Sequence, residues 1–265
     1  MRLSLIITTY NSPKKLILVL KSVEKQSILP HEVIIADDGS GKETKDAIAD
    51  YKSKSKINII HSWQSDNGFR AAKSRNKAII KSIGEYIVLV DGDLILHSEF
   101  INDHIQNAEK GYFVQGSRVM LTEKKTKEIL KSTKYKFHFF SKGLMNRKNV
   151  IHSNILSKLF TIKSKSINGI RSCNLGFYRI DCFKVNGFNN DFVGWGREDS
   201  EFIVRLFNIG IQRKNMRFRG IQFHLWHEEN TNVALSKNNL TLRNSIKNEI
   251  KWCENGINSI NKNED

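Results

Sequence analysis

The most constraining stretch of the 265-residue chain is Tyr86-Ile-Val-Leu-Val-Asp-Gly-Asp-Leu-Ile95. Residues 86–90 are all β-branched, aromatic or aliphatic, the composition of a strand buried on both faces. The run stops at Asp91-Gly92-Asp93, and apolar character resumes at Leu94. Two carboxylates at the end of a core strand are costly to keep ionised without a partner. At i and i+2 of an extended chain they point to the same side. Gly92 between them lets the backbone bend or a ligand approach closely. A divalent cation carrying a diphosphate is a partner of suitable charge. Taken alone, the stretch also reads as a turn whose acids face water.

No apolar run approaches the roughly 18 to 20 residues that span a bilayer. The N-terminal run, residues 3–7, ends at Thr8-Thr9-Tyr10-Asn11 with no small-residue cleavage site after it. It reads as a first strand rather than a signal peptide. Cys173, Cys182 and Cys253 are few, odd in number and not at metal-ligand spacing, which fits the reducing cytoplasm. The 43 basic residues exceed the 27 acidic ones, for a net charge of +16, and such a surface favours anionic partners. No zinc-ligand pattern or RNA-binding motif is present, so nucleic acid is not the expected partner. Peripheral contact with an anionic membrane at the inner face of the cell membrane, or with an acceptor carried on it, is the better expectation; a solvated basic surface with no special partner is the alternative.

Apolar periodicity predicts strands at 3–8, 32–36, 57–60 and 86–90. Helices are expected at 13–26, 44–51 and 71–82, the first with Ser12 as N-cap and Pro13 at its first position. This alternation predicts an α/β fold with a mostly parallel sheet and right-handed crossovers. Ligands bind such sheets beyond the carboxyl ends of the strands. Asn11, Asp37-Asp38 and Asp91-Asp93 all fall at such ends.

The second half is less regular. A helix is expected at 98–110, a strand at 112–116, and a helix at 199–209 with Phe202, Leu206 and Ile209 as its core stripe. Residues 122–166 are rich in Lys, Ser and Asn, with Tyr135, Phe137, Phe139 and Phe140 interleaved. They read as a mobile or membrane-proximal excursion. The chain thus divides into three parts: a ligand-binding half over 1–120, a second half over 121–235, and a polar helical tail over 236–265 whose helix is expected at 242–260.

The succession Thr8-Thr9-Tyr10-Asn11, Asp37-Asp38-Gly39-Ser40, Asn67-Gly68, Arg75-Asn76, Asp91-Gly92-Asp93 and Gly194-Trp195-Gly196-Arg197-Glu198-Asp199 resembles family 2 glycosyltransferases of the GT-A fold. The last block is similar to the Trp-Gly-Gly-Glu-Asp signature of galactosyl- and N-acetylgalactosaminyltransferases and of bacterial capsule polymerases. The resemblance covers residues 1 to about 230, with 122–166 unmatched. Each motif alone is weak, and their order makes the case. It implies a Rossmann-like, mostly parallel sheet flanked by helices, with an acceptor-binding second half.

The resemblance also implies roles. Thr8, Tyr10, Asp37 and Asp38 would hold the nucleoside of a UDP-sugar, although Asp38 or Ser40 could equally serve a turn. Arg70 and Arg75 would touch base or phosphates, or stand as solvated helix-face cations. Asp93 would ligate a divalent cation, manganese in preference to magnesium, and Asp91 would contact ribose or metal. His227, with His224 as second choice, would add an imidazole ligand. Asp199 would be the general base that takes the proton of an acceptor hydroxyl, with Glu198 supporting the acceptor; both acids could also simply favour a helix start. Trp195 would stack on a sugar or anchor packing. Arg197 stands where the related signature usually has Gly.

The expected activity is metal-dependent, inverting transfer from a UDP-sugar to a hydroxyl of a glycan or lipid-linked acceptor, of lipopolysaccharide or capsule type. A nucleotidyltransferase also uses strand-end acids and a metal, but the Gly194–Asp199 block argues against it. A non-catalytic glycan- or lipid-binding module is the other rival, and the presence of both Asp93 and Asp199 weighs against that.

Overall fold

The computed structural model describes residues 1–228 and 233–260. The first half builds as β1 (Leu3–Thr9), α1 (Pro13–Val23), β2 (Glu32–Asp37), α2 (Lys42–Lys54), β3 (Ile59–Trp63), α3 (Ala71–Lys81), β4 (Tyr86–Asp91), β5 (Leu94–Leu96) and α4 (Phe100–Asn107). The rest adds β6 (Tyr112–Gln115), β7 (Val119–Leu121), α5 (Glu123–Ser132), β8 (Leu144–Met145), α6 (Asn154–Phe160), β9 (Ile162–Ser164) and β10 (Asn174–Tyr178). After these come α7 (Arg179–Lys184), α8 (Glu198–Asn208), β11 (Gln212–Asn215), β12 (Gln222–His224) and α9 (Leu235–Lys247).

Eight strands form the main sheet in the order β3-β2-β1-β4-β10-β6-β11-β9. The first four neighbours are parallel, as their helical crossovers require, and β6 with β11 is parallel too. The β4–β10, β10–β6 and β11–β9 pairs are antiparallel. The sheet is therefore mostly parallel, as expected. Leu5, Ile7, Val88 and Val90 pack on one face against Leu16, Leu20 and Phe100. Ile6, Ile87 and Leu89 pack on the other against Ile79, Phe202 and Leu206. Residues 86–90 are almost wholly buried. Each such large side chain contributes about 1.5–3 kcal/mol, so this strand is the spine of both cores.

A smaller sheet, β5-β12-β7-β8, covers a third core around Val119, Leu121, Ile129 and Phe223. Its β5–β12 pair sets Leu94 opposite His224, and the Leu225 amide donates to the Asp93 carbonyl at 2.9 Å. This hairpin-like closure positions the site.

Several boundaries differ from expectation. Ser12 occupies the N-cap position of α1 without a side-chain cap bond, and α1 ends at Val23, where Gln26 turns its amide to the Ser22 and His97 carbonyls. The third strand lies at 59–63, not 57–60, because pairing with β2 carries it through His61 and Ser62 to Trp63 opposite Asp37. Residues 122–166 carry α5, β8, α6 and β9, with Thr126, Ile129 and Leu144 buried; the apolar positions hidden among the lysines are enough to fasten the stretch. The tail helix is α9, ending at Lys247 rather than running over 242–260. Glu249 has a left-handed φ of 48° and breaks it. Beyond Glu249 an irregular segment buries Cys253 and Ile257, and the Cys253 carbonyl accepts from Asn186 Nδ2. Positions 229–232 of the expected second half and 261–265 of the expected tail lie outside the described residues.

Candidate active site

The carboxyl ends of β1, β2 and β4 lie side by side, with Thr8 opposite Ala36 and Asp91, and Thr9 opposite Asp37. Asp37 is completely buried. Its Oδ2 lies 2.8 Å from His61 Nε2, and its Oδ1 accepts from the Ser40 amide at 2.8 Å. Burial pushes this carboxyl up, but the His61 and Ser40 hydrogen bonds outweigh it and hold it below the usual range. Asp37 therefore braces the turn after β2. Asp38 also turns inward. It accepts from Gln64 Nε2 at 2.6 Å and from the Arg70 amide at 2.7 Å, and burial outweighs these bonds to raise its carboxyl. Arg70 Nη2 donates to the Ser65 carbonyl. Tyr10 is half-exposed, its hydroxyl donating to Asp66 Oδ2 at 2.9 Å.

Arg75, expected at the base or phosphates or in solvent, is 4% exposed. It lies on α3, and its Nη1 donates to Glu198 Oε1 at 2.9 Å. Nε reaches Thr8 Oγ1 at 3.3 Å, and Nη2 is 3.8 Å from Asp91 Oδ1. Burial opposes its charge, but Glu198 and Asp91 outweigh that and raise its pKa. Glu198 is correspondingly buried against Arg75.

Asp91 keeps about 35% of its side chain exposed. Desolvation, offset in part by Arg75 and reinforced by Asp93, pushes its carboxyl up to about 6. Asp93 Oδ2 lies 3.2 Å from His227 Nε2 and 3.4 Å from His224 Nε2. One ligand atom from each of the three residues falls within 4.8 Å of the others. Burial of Asp93 is outweighed by the two histidines, which hold it well below the carboxylate range, and His227 is raised in turn by Asp93. Asp93 Oδ1 and His224 Nδ1 are buried without a hydrogen-bond partner. His227 Nδ1 lies 2.6 Å from the Glu228 carbonyl, a contact that fixes the ring and leaves Nε2 for an ion. One carboxylate and two imidazoles with an orphaned buried oxygen fit a divalent transition metal such as manganese better than calcium. Lys15 of α1 was not singled out by sequence. It is half-buried beside this cluster, donates to the Trp226 carbonyl at 3.4 Å and feels Asp93; no local motif marks it.

The loop before α8 is left-handed at Gly194 (φ 79°), Gly196 (φ 103°) and Arg197 (φ 78°). A Cβ at Gly194 would stand 2.5 Å from Ala234 Cβ, so only glycine fits. Arg197 takes a conformation suited to glycine, and its Nε donates to Asn239 Oδ1 at 2.7 Å. Trp195 is 43% exposed on this loop. Asp199 sits in the first turn of α8. Its Oδ1 accepts from the Ser200 amide at 2.6 Å and its Oδ2 from the Ser172 amide at 3.2 Å. Burial, then the neighbouring Glu198 charge, push this carboxyl up to about 7, the range suited to a general base. The Ser172 contact is another that sequence did not reveal.

Residues 4–170, more than half of the chain, match the model for glycosyl transferase family 2. The chain belongs to that family. The match runs through 122–166, which the motif resemblance had left out. A second model, described as the N-terminal domain of galactosyltransferase, matches residues 152–228. Among curated relatives of this family 2 glycosyl transferase, the chondroitin synthase of Escherichia coli is 25% identical over 249 residues, covering 86% of this chain and 34% of its own length. The hyaluronan synthase of Pasteurella multocida is 26% identical over 240 residues, covering 78% of this chain and 23% of its own. The chain thus spans about a third or less of these relatives. Among solved structures, Staphylococcus aureus TarS residues 1–349 in complex with UDP superposes with a TM-score of 0.65 at 17% identity, over 94% of this chain and 66% of that one. The mannosyltransferase of Pyrobaculum calidifontis with GDP-Man and Mn2+ gives 0.60 at 14% identity, over 86% and 58%. The family 2 chain has the GT-A fold. Among its described residues no helix is long and apolar enough to cross a membrane.

Proposed function

We propose that this chain is a metal-dependent, inverting transferase. It moves a hexosyl or N-acetylhexosaminyl group from a UDP-sugar to a hydroxyl of a surface-glycan acceptor of lipopolysaccharide or capsule type, at the cytoplasmic face of the membrane. The observation that carries the reading is one continuous run of charged groups. It leads from the Asp93–His224–His227 cluster through Asp91, Arg75 and Glu198 to Asp199. This run would bring a leaving-group anchor and a base raised toward neutrality to one site. The UDP and UDP-GlcNAc complexes of TarS support a uridine donor, and the two polysaccharide synthases support a glycan acceptor.

On the donor side, Thr8, Tyr10, Asp37, Asp38 and Arg70, at or just beyond the ends of β1 and β2 and at the start of α3, would bound the nucleoside. Asp93, His224 and His227 would hold the ion beside Asp91; when bound, it supplies positive charge for the leaving diphosphate. On the acceptor side, Asp199 takes the hydroxyl proton as that oxygen attacks the anomeric carbon opposite the leaving group. A single such displacement inverts configuration. Glu198 and Arg75 keep α8, and so Asp199, in register with the donor floor. Trp195, on a loop whose glycines permit close approach, gives the acceptor sugar a face to stack on.

A screen of UDP-sugars by UDP release, with manganese and then with chelator, tests this. Release with one donor, lost on chelation and in Asp199→Asn, is the expected result. No release with any UDP-sugar, or release indifferent to Asp199→Asn, would overturn it.

A further inference from the structure

Helix α6 is amphipathic the wrong way round for a soluble surface. Its buried residue is Ser157, while Ile155, Leu159 and Phe160 are 73%, 71% and 52% exposed. Ile155 and Leu159, four residues apart, share one face. The chain passes directly into β9, where Ile162 is 60% exposed at the end of the main sheet. Polar contacts fix this arrangement from the inner side. Ser153 caps the helix by accepting from the Leu156 amide, the Ser153 amide donates to the Phe218 carbonyl, and Arg219 binds the Asn154 carboxamide oxygen. The apolar face is thus held outward by the local hydrogen bonding.

Charge says what covers it. Twelve of the 43 basic residues but only two of the 27 acidic ones lie within 122–166. Lys163 is turned back onto Glu109 and the Tyr112 ring. Lys158 and Lys165, exposed beside the apolar face, have no ion-pair partner among the described residues. Exposed aliphatic and aromatic side chains flanked by unpaired lysines match the boundary between acyl chains and anionic headgroups. A second copy of the chain would bring +16 against +16, which disfavours self-association through this face.

We propose that the α6–β9 surface docks the protein on an anionic lipid bilayer, with Ile155, Leu159, Phe160 and Ile162 entering the interface and Lys158 and Lys165 meeting the headgroups. The proposal rests on this surface alone and is independent of the sugar donor.

Co-sedimentation of the full chain with vesicles tests it, comparing pure phosphatidylcholine with mixtures containing about 30% phosphatidylglycerol. Binding is expected only to the anionic vesicles and should weaken about tenfold or more between low and high salt. The Ile155→Ser/Leu159→Ser variant, which alters only exposed side chains, should bind at least tenfold less while keeping its melting temperature. Lys158→Gln/Lys165→Gln should weaken binding and flatten its salt dependence. Absence of anionic-vesicle binding, or binding unchanged in both variants, would overturn the proposal. So would a dimer in light scattering that the Ile155→Ser/Leu159→Ser variant abolishes, since the face would then be covered by a second copy.

Discussion

Arg75 Nη1 lies 2.9 Å from Glu198 Oε1, with both side chains buried. That contact ties α3 to the first turn of α8, the helix that carries Asp199. Because the same guanidinium also reaches Thr8 and Asp91, one side chain holds together three strand or helix ends that are distant in sequence.

Removing one member of a buried pair leaves an uncompensated charge, at about 3–5 kcal/mol. Arg75→Met and Glu198→Leu are each expected to lower stability by that order in urea denaturation. The double variant should recover much of the loss, since both charges leave together. Additive losses would show that the pair is not coupled.

Asp199 titrates near 7 because burial and Glu198 disfavour its anion. As a base it must be ionised, so kcat/KM should rise with pH up to about 7 and then level. Its raised pKa has the opposite sign for folding: the stability it lends is present at low pH and is lost as pH rises through the folded value. Asp199→Asn should therefore melt no lower than the parent protein at pH 8, while transfer is lost. A parallel loss of stability would make the residue structural.

Manganese titrated calorimetrically should bind the parent protein. Asp93→Asn should lose most of that affinity, and His227→Ala and His224→Ala should each lose about 10- to 100-fold or more, as removal of a ligand exceeds the usual cost of removing its supporting partner. UDP affinity should fall with them only when manganese is present. Unchanged metal binding in all three would put the ion elsewhere.

Arg197 occupies φ 78°. A β-branched residue is a poor fit there, so Arg197→Val should cost about 2 kcal/mol through strain and the lost Asn239 bond. Arg197→Gly relieves the strain while losing the bond, and should stay within about 1 kcal/mol of the parent by thermal or urea melts. Equal losses in both would show that the side-chain bond, not the backbone, governs this turn.

Much of the fold was legible in the sequence. Strand–helix alternation over residues 3–91 comes from local apolar periodicity, and the strand-end positions of Thr8, Asp38 and Asp91 follow from it. The left-handed backbone before α8 was not read from the sequence, because it extends to Arg197, whose residue type does not announce it. The less regular regions were harder to read, because Lys- and Asn-rich composition masks the few apolar residues that fasten 122–166, and because α9 gives way to a tail held by tertiary contacts with Asn186.

What only the tertiary structure decided is which groups meet. Nothing local distinguishes Asp37, wholly buried against His61, from Asp38 beside it. Nothing near Arg75 announces Glu198. His224 and His227 were expected beside Asp93 only through the family resemblance, and their meeting depends on β12 adding antiparallel to β5, a register set by backbone hydrogen bonds between segments more than a hundred residues apart. The sequence by itself determined the strand that ends in Asp91-Gly92-Asp93 and the chemistry those residues can offer. Their ionisation and their partners were decided by desolvation and by contacts that exist only once the chain has closed.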